Sequence, residues 1–252
     1  MQSSIWNGQF SEITPWDDEI SMNYHLAQWI NQKESTKTFR LFLDRKLRAS
    51  KRVLDIGTGG GAALSYLASR FPEVEFTGLE PNHSLVTLAN EESSKKGLTN
   101  LTFSPGNFAT LESQNDHFDG VISLNTLSYI EECFQPLNNI ISHLKPSWIG
   151  IHSLFYDGGI SARIEIFEHK RQRKTFYNTY SLDEIDNFCI SLGYKLTSVQ
   201  PFQMPFPLSK PENKDVMGTY TQTVVGEDDH LHLQFSGPIL MSHYFLIIEP
   251  LN

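Results

Sequence analysis

Residues 53–71, VLDIGTGGGAALSYLASRF, carry a short apolar strand into a loop with four glycines in five positions and then straight into a helical pattern. Leu64, Leu67, Ala68 and Phe71 fall at i, i+3, i+4 and i+7, the spacing of one helix face. Glycine permits a tight turn and close backbone approach, and the start of a helix leaves N–H groups without partners inside it. The stretch predicts a strand, a loop and a helix, with the loop held against something polar.

Outward from it the chain alternates. Strand-like runs lie at 52–56, 74–80, 101–104, 118–124 and 148–155, with a second helical spacing at Leu85, Leu88 and Ala89 and stops at Gly97 and Pro146. Such alternation implies right-handed crossovers and an α/β fold whose mostly parallel sheet is covered on both faces. Residues 181–193, SLDEIDNFCISLG, read as a helix with Ser181 and Glu184 as a capping box, an apolar face of Ile185, Phe188, Cys189 and Leu192, and a stop at Gly193. Strands near 194–199 and 240–248 are expected to close the sheet. Residues 1–50 are rich in aromatics: 6–16 read as an irregular arm, and Phe39, Phe42, Leu43 and Leu47 predict a helix leading into the first strand. Two segments exceed a minimal alternating fold, 156–180 and 201–238, the second with a hairpin turn near 226–229. A single domain over 1–252 is expected, with 1–50 as arm or lid, 51–155 as ligand-binding core and the two insertions as the substrate pocket.

The 252 residues carry a formal net charge of −9, so no overall positive field draws nucleic acid or an anionic membrane. A neutral or cationic small substrate suits that charge better. Cys133 and Cys189 form neither a disulfide framework nor a zinc site, which suits a reducing cytoplasm. MQSSIWNGQFSE lacks a basic region followed by an apolar run, and no stretch approaches 18 uncharged apolar residues. A soluble, cytoplasmic protein is expected. His230 and His232 alternate on one strand face beside Asp228 and Asp229 but lack a convincing third ligand, so no metal is expected. The run HKRQRK at 169–174 reads as a solvated turn.

Two ligands compete for the glycine loop: the pyrophosphate of a dinucleotide and the amino-acid tail of S-adenosylmethionine. Gly57, Gly59 and Ala62 satisfy G-x-G-x-x-G/A, and Glu80 lies 23 residues after Gly57, where an acidic residue holds a ribose. Asp55, two residues before the first glycine, separates the two: a carboxylate there attracts an ammonium group and repels a pyrophosphate. Within PGNFATL (105–111), Asn107 can accept from an adenine amino group, while Phe108 offers its backbone to a ring nitrogen and its ring to the base. FDGVISLNTLSYI (118–130) delivers Asn125, Ser128 and Tyr129 to the carboxyl edge of the sheet.

Taken together, VLDIGTGGGAA, FTGLEP, GNFATL and FDGVISLNTLSYI resemble the four ligand motifs of class I S-adenosylmethionine-dependent methyltransferases, strongly over about residues 50–150. The resemblance implies their Rossmann-like fold, doubly wound around a mostly parallel seven-stranded sheet, with S-adenosylmethionine as cofactor and S-adenosylhomocysteine as product. It implies that Asp55, Gly57, Gly59 and Gly61 hold the methionine part, Glu80 the ribose hydroxyls and Asn107 and Phe108 the adenine, with Asn125 near the methionine end. The family often has Asp where this chain has Asn107, whose amide oxygen can still accept.

Transfer from a sulfonium is an in-line displacement, so alignment alone can supply on the order of 7–11 kcal/mol. A neutral hydroxyl or an ammonium must also lose a proton. His152, in the fifth strand run, is the candidate base, and Tyr156, Tyr177 and Tyr180 are candidate pocket walls that would suit a cationic centre. SLNTLSYI stands where resembling enzymes that methylate exocyclic or side-chain amide nitrogens carry Asn-Pro-Pro-Tyr or Asp-Pro-Pro-Tyr. The expected activity is methyl transfer to oxygen or nitrogen of a small molecule, without nucleic acid or membrane. Its rivals are a protein or RNA acceptor, an NAD-dependent oxidoreductase and a non-catalytic binder of S-adenosylmethionine.

Overall fold

The computed structural model describes residues 18–108, 117–169, 173–212, 218–226, 229–236 and 242–251. The arm at 6–16, the centre of the 226–229 turn, the end of GNFATL and the middle of HKRQRK lie outside these residues.

Three helices precede the sheet: α1 (Glu19–Ile30), α2 (Glu34–Phe42) and α3 (Asp44–Arg48). Asp18 caps α1, its carboxylate accepting the Ser21 N–H at 2.9 Å. Then β1 (Arg52–Ile56), α4 (Ala62–Arg70), β2 (Glu75–Glu80), α5 (His83–Lys95) and β3 (Leu101–Pro105) alternate as expected. They are followed by β4 (Gly120–Leu124), α6 (Phe134–Asn139) with a π-turn at Ile140–Leu144, and β5 (Trp148–Tyr156). The first insertion forms a small hairpin, β6 (Glu165–Glu168) and β7 (Arg173–Phe176), and leads through β8 (Tyr180–Ser181) into α7 (Leu182–Ser191) and β9 (Tyr194–Pro201). The second forms the hairpin β10 (Thr219–Gly226) and β11 (Asp229–Ser236), before β12 (His243–Pro250).

The main sheet runs β3-β2-β1-β4-β5-β12-β9, with the two-residue β8 pairing beside β5. The first five strands are parallel, and β12 is antiparallel to both its neighbours. Seven strands thus form the continuous path, and the order reverses between β1 and β4, the crevice where open α/β sheets bind ligands. Alternate side chains of each strand feed opposite cores. On one face Val53 and Ile122 meet Phe39, Leu43, Leu64, Leu67 and Val86 of the helices before β3, while on the other Leu54, Val121 and Ile149 meet Leu137, Ile185 and Cys189.

Two local expectations change. The fourth strand starts at Gly120 rather than 118, because the Asp119 carboxylate turns back to accept the Lys51 and Arg52 N–H groups at 2.7 and 3.0 Å. The capping box at α7 is not formed. Ser161 takes over, its hydroxyl accepting the Ser181 N–H at 2.8 Å and donating to Glu184, so the first insertion is tied to the start of α7.

Candidate active site

The glycine loop joins β1 to α4, and three of its glycines have positive φ: Gly57 at 68°, Gly59 at 56° and Gly61 at 81°. Space enforces the choice as much as conformation does. A Cβ at Gly57 would meet the Thr126 side chain at 2.4 Å, and one at Gly61 would meet Phe103 and Ala89 at 2.7 Å. The loop is thereby wedged between α5, β3 and the turn after β4. That turn is itself strained, with Asn125 at φ 54° and its N–H donating to the His152 carbonyl at 2.7 Å.

Two carboxyl groups flank the loop. Glu80, at the end of β2, accepts from the Gly59 N–H at 2.9 Å and the Asn82 N–H at 3.0 Å; burial raises its pKa while those two donors pull it down. Asp55, at the end of β1, is 2% exposed, and its Oδ1 has no hydrogen-bond partner among the described residues. Burial pushes its pKa up to about 7, opposed by nearby Thr58 and reinforced by Glu80. A buried carboxyl with one oxygen unpartnered is costly to ionise unless a cation joins it, and the Asn125 Oδ1 beyond the next strand is likewise buried without a partner among the described residues. These residues fit the ammonium of an amino-acid tail, with the loop backbone for its carboxylate.

A cleft of about 300 Å³ opens between the ends of β2 and β3, lined by Pro81, His83, Pro105, Gly106 and Asn107. It has room for a base beside Glu80. The Phe108 ring is not on its wall: it is buried in the core with Leu79 and Phe118, which leaves the base only the residue's backbone.

The other expected site residues differ in exposure and surroundings. Tyr156 is 45% exposed, whereas Tyr180 is fully buried, edge-on to Phe134 and bonded to the Asn178 amide. Tyr177 is half-buried and packs edge-to-face on Tyr129 at 5.0 Å, just after β4. His152 is 1% exposed, with Phe245 at 4.8 Å, Phe202 at 5.7 Å, Phe39 at 6.2 Å and the His243 ring at 5.4 Å. Burial, His243 and Lys33 hold its pKa well below the histidine range, and neither ring nitrogen has a hydrogen-bond partner among the described residues. Aromatic rings therefore enclose this imidazole.

Sequence reasoning passed over α1. Trp29 Nε1 donates to the Gly60 carbonyl at 2.7 Å, Gln32 Nε2 donates to the Ala62 carbonyl at 2.8 Å, and His25 Nδ1 accepts the Gly60 N–H at 3.2 Å. The helix lies directly on the glycine loop, and Arg173 of the first insertion reaches its capping Asp18 at 3.5 Å. The signal was there: Asp18 starts twelve residues free of glycine and proline. Among the described residues no group of three or more His, Cys, Asp or Glu is placed to hold a metal, and no helix is long and apolar enough to cross a membrane.

Comparisons bear on the same region. The family described as a methyltransferase domain matches residues 47–189. The chain is 23% identical over 155 residues to a malonyl-[acyl-carrier protein] O-methyltransferase of Bacillus anthracis, covering 61% of this chain and 56% of that one. It is 30% identical over 118 residues to ribosomal RNA small subunit methyltransferase G of Bacteroides fragilis, covering 47% and 52%. The chain thus spans about half the length of the curated relatives it matches. Its fold is similar to that of the O-methyltransferase from the trans-AT PKS multienzyme of Brevibacillus brevis in complex with S-adenosyl-L-homocysteine, with a TM-score of 0.53, 14% identity, and 71% and 59% of the two chains covered.

Proposed function

The chain belongs to the class I S-adenosylmethionine-dependent methyltransferases, and on that premise we propose that it moves a methyl group onto an oxygen or nitrogen of a small molecule. The observation that carries the cofactor's placement is Asp55, a buried carboxyl with an unpartnered oxygen at the strand end that precedes the glycine loop. When bound, the cofactor supplies an electrophilic methyl carbon on a sulfonium.

In this reading Asp55 holds the ammonium group, and the backbone from Gly57 to Gly61 receives the carboxylate. Glu80 already spends one lone pair of each oxygen on the Gly59 and Asn82 N–H groups, which fixes its carboxylate to accept from two ribose hydroxyls. Asn107 meets the adenine edge across the cleft. Asn125, whose buried Oδ1 has no partner among the described residues, stands near the methionine end. Tyr129 and Tyr177 form one wall for the acceptor, and α1 closes the other side.

A net charge of −9 supports a small, uncharged or cationic acceptor over an RNA. Catalysis then rests on alignment, with the acceptor's proton passing to solvent rather than to the enclosed His152. Titration calorimetry with S-adenosylhomocysteine, S-adenosylmethionine and NADH tests the cofactor, and saturable binding of the first two alone is expected. Binding of NADH alone would overturn the assignment of Asp55. Tritium transfer from labelled cofactor to small hydroxyl and amine acceptors, set against total RNA and protein, tests the acceptor; label found only in the macromolecules would remove the small-molecule reading.

A further inference from the structure

The contact between α1 and the glycine loop engages one of the loop's own N–H groups. Gly60 donates its N–H to His25 Nδ1 at 3.2 Å, and the approach is tight: a Cβ at Gly60 would stand 2.8 Å from His25 Cβ, and one at Gly59 would stand 3.0 Å from His25 Cε1. A ring nitrogen that accepts carries no proton, so the neutral tautomer has its hydrogen on Nε2. Trp29 and Gln32, bonded to the Gly60 and Ala62 carbonyls, hold the helix there independently of His25.

We infer that His25 is a further ligand-binding residue: it occupies the Gly60 N–H in place of the ligand's carboxylate, and when that carboxylate arrives His25 takes up a proton and pairs with it. The inference rests on the reading of the loop as the seat of the amino-acid tail. Its chemistry follows from exclusion. Nδ1 cannot both accept from Gly60 and carry a proton, so protonation requires the Gly60 N–H to find another acceptor, which the carboxylate supplies. The proton comes from solvent; one hydrogen bond is exchanged and no covalent bond is altered other than the new N–H.

The surroundings keep the ring neutral until then. Burial pulls its pKa down to about 4, and Lys33 beyond the end of α1 adds to the effect. Glu80 is one glycine away through the Gly59 N–H, Asp55 lies at the end of β1 before the loop, Lys96 sits over Trp29 at 5.0 Å, and the Tyr24 ring lies 5.4 Å from the imidazole. A carboxylate in contact with the ring favours its charged form and raises its pKa toward neutrality. Asp55 acts with the opposite sign, because an ammonium beside it draws off the proton its raised pKa retains.

The net proton count therefore has to be read as a difference between proteins. Calorimetric titration of the whole chain with S-adenosylhomocysteine at about pH 6, in buffers of different ionisation enthalpy, gives the protons taken up on binding. The wild type should exceed His25→Gln by a substantial fraction of one proton, and the variant should bind on the order of 10-fold more weakly. Trp29→Phe, which loosens α1 without changing the ring, should keep the wild-type count. An equal count in the wild type and His25→Gln overturns the inference. The ring also reports directly: its proton resonance in the wild type should titrate at a higher pH with ligand than without, and an unmoved titration overturns the inference even if the variant fails to fold. Failure of S-adenosylhomocysteine to bind at all is a different result, which removes the loop reading itself.

Discussion

Two sets of buried titratable groups sit near the carboxyl ends of the central strands, and they are built differently. Asp55 and Glu80 stand beside the glycine loop, where backbone N–H groups point at Glu80 and Asp55 keeps an oxygen without a partner. His152 and His243 stand two and three strands from Asp55, among Phe39, Phe202 and Phe245. Desolvation drives every one of them toward its neutral form, raising the carboxyl groups and lowering the imidazoles. A neutral imidazole among phenyl rings is a tolerable core residue. A carboxyl group that can regain its charge by meeting an ammonium is a binding site, so equal burial leads to opposite roles.

The largest effect that would break this contrast is at Asp55. Asp55→Asn keeps the shape and removes the charge, and S-adenosylhomocysteine affinity measured by calorimetry should fall at least 100-fold, with no loss of thermal stability in the ligand-free protein. Affinity within a few-fold of wild type would place the ammonium elsewhere. Glu80→Gln comes next. One of its oxygens becomes a donor, the Gly59 and Asn82 N–H groups compete for the remaining acceptor, and affinity should fall on the order of 10- to 100-fold with the fold intact by circular dichroism.

Stability against pH sharpens the contrast further, because the two sets have opposite signs. Asp55, raised from 3.8 to about 7, binds more protons folded than unfolded between those values. Its contribution is full below about pH 4 and is lost as pH rises toward 7, by on the order of 4 kcal/mol at 1.36 kcal/mol per pH unit. His25 and His243, lowered to about 4, bind fewer protons folded, so their contribution grows between about pH 4 and 6.5 and is absent below. In ligand-free wild type the terms oppose. Chemical denaturation of Asp55→Asn across that window should therefore show stability rising more steeply with pH than in the wild type, and an unchanged slope would mean that Asp55 is ionised in the folded protein.

How much of this was legible beforehand follows the range of each interaction. The strand–loop–helix unit, the parallel sheet and the positions of Asp55, Glu80 and Asn107 follow from short-range pattern, since period, glycine and acidic spacing all act within about 30 residues. What was not legible depends on which elements meet. Nothing local in EISMNYHLAQWI says that His25 and Trp29 land on Gly60, 35 and 31 residues away. Nor does spacing separate Tyr177, which meets Tyr129, from Tyr180, which is taken into the core by Phe134 and Asn178. The Ser181–Glu184 motif fits its local rule and still loses, because Ser161 supplies both hydrogen bonds from the insertion.

The smallest expected effect is at His152, where the sequence offered a base and the structure supplies a closed apolar box. His152→Phe replaces a ring whose two nitrogens have no partners with one of similar size that has none to satisfy. The His243 ring, 5.4 Å away, would lose a neighbouring ring but no hydrogen bond, since it is the Gln234 backbone that bonds it. S-adenosylhomocysteine affinity should stay within about two-fold, transfer to a working acceptor within a few-fold, and thermal stability should be equal or higher, because an unsatisfied buried polar group is removed. A fall in turnover beyond about 100-fold with affinity unchanged would show that the aromatic box opens during the reaction and that the imidazole reaches the acceptor's proton. Both sets of groups would then belong to one site, with the histidines held neutral so that they can accept a proton rather than so that they can be buried.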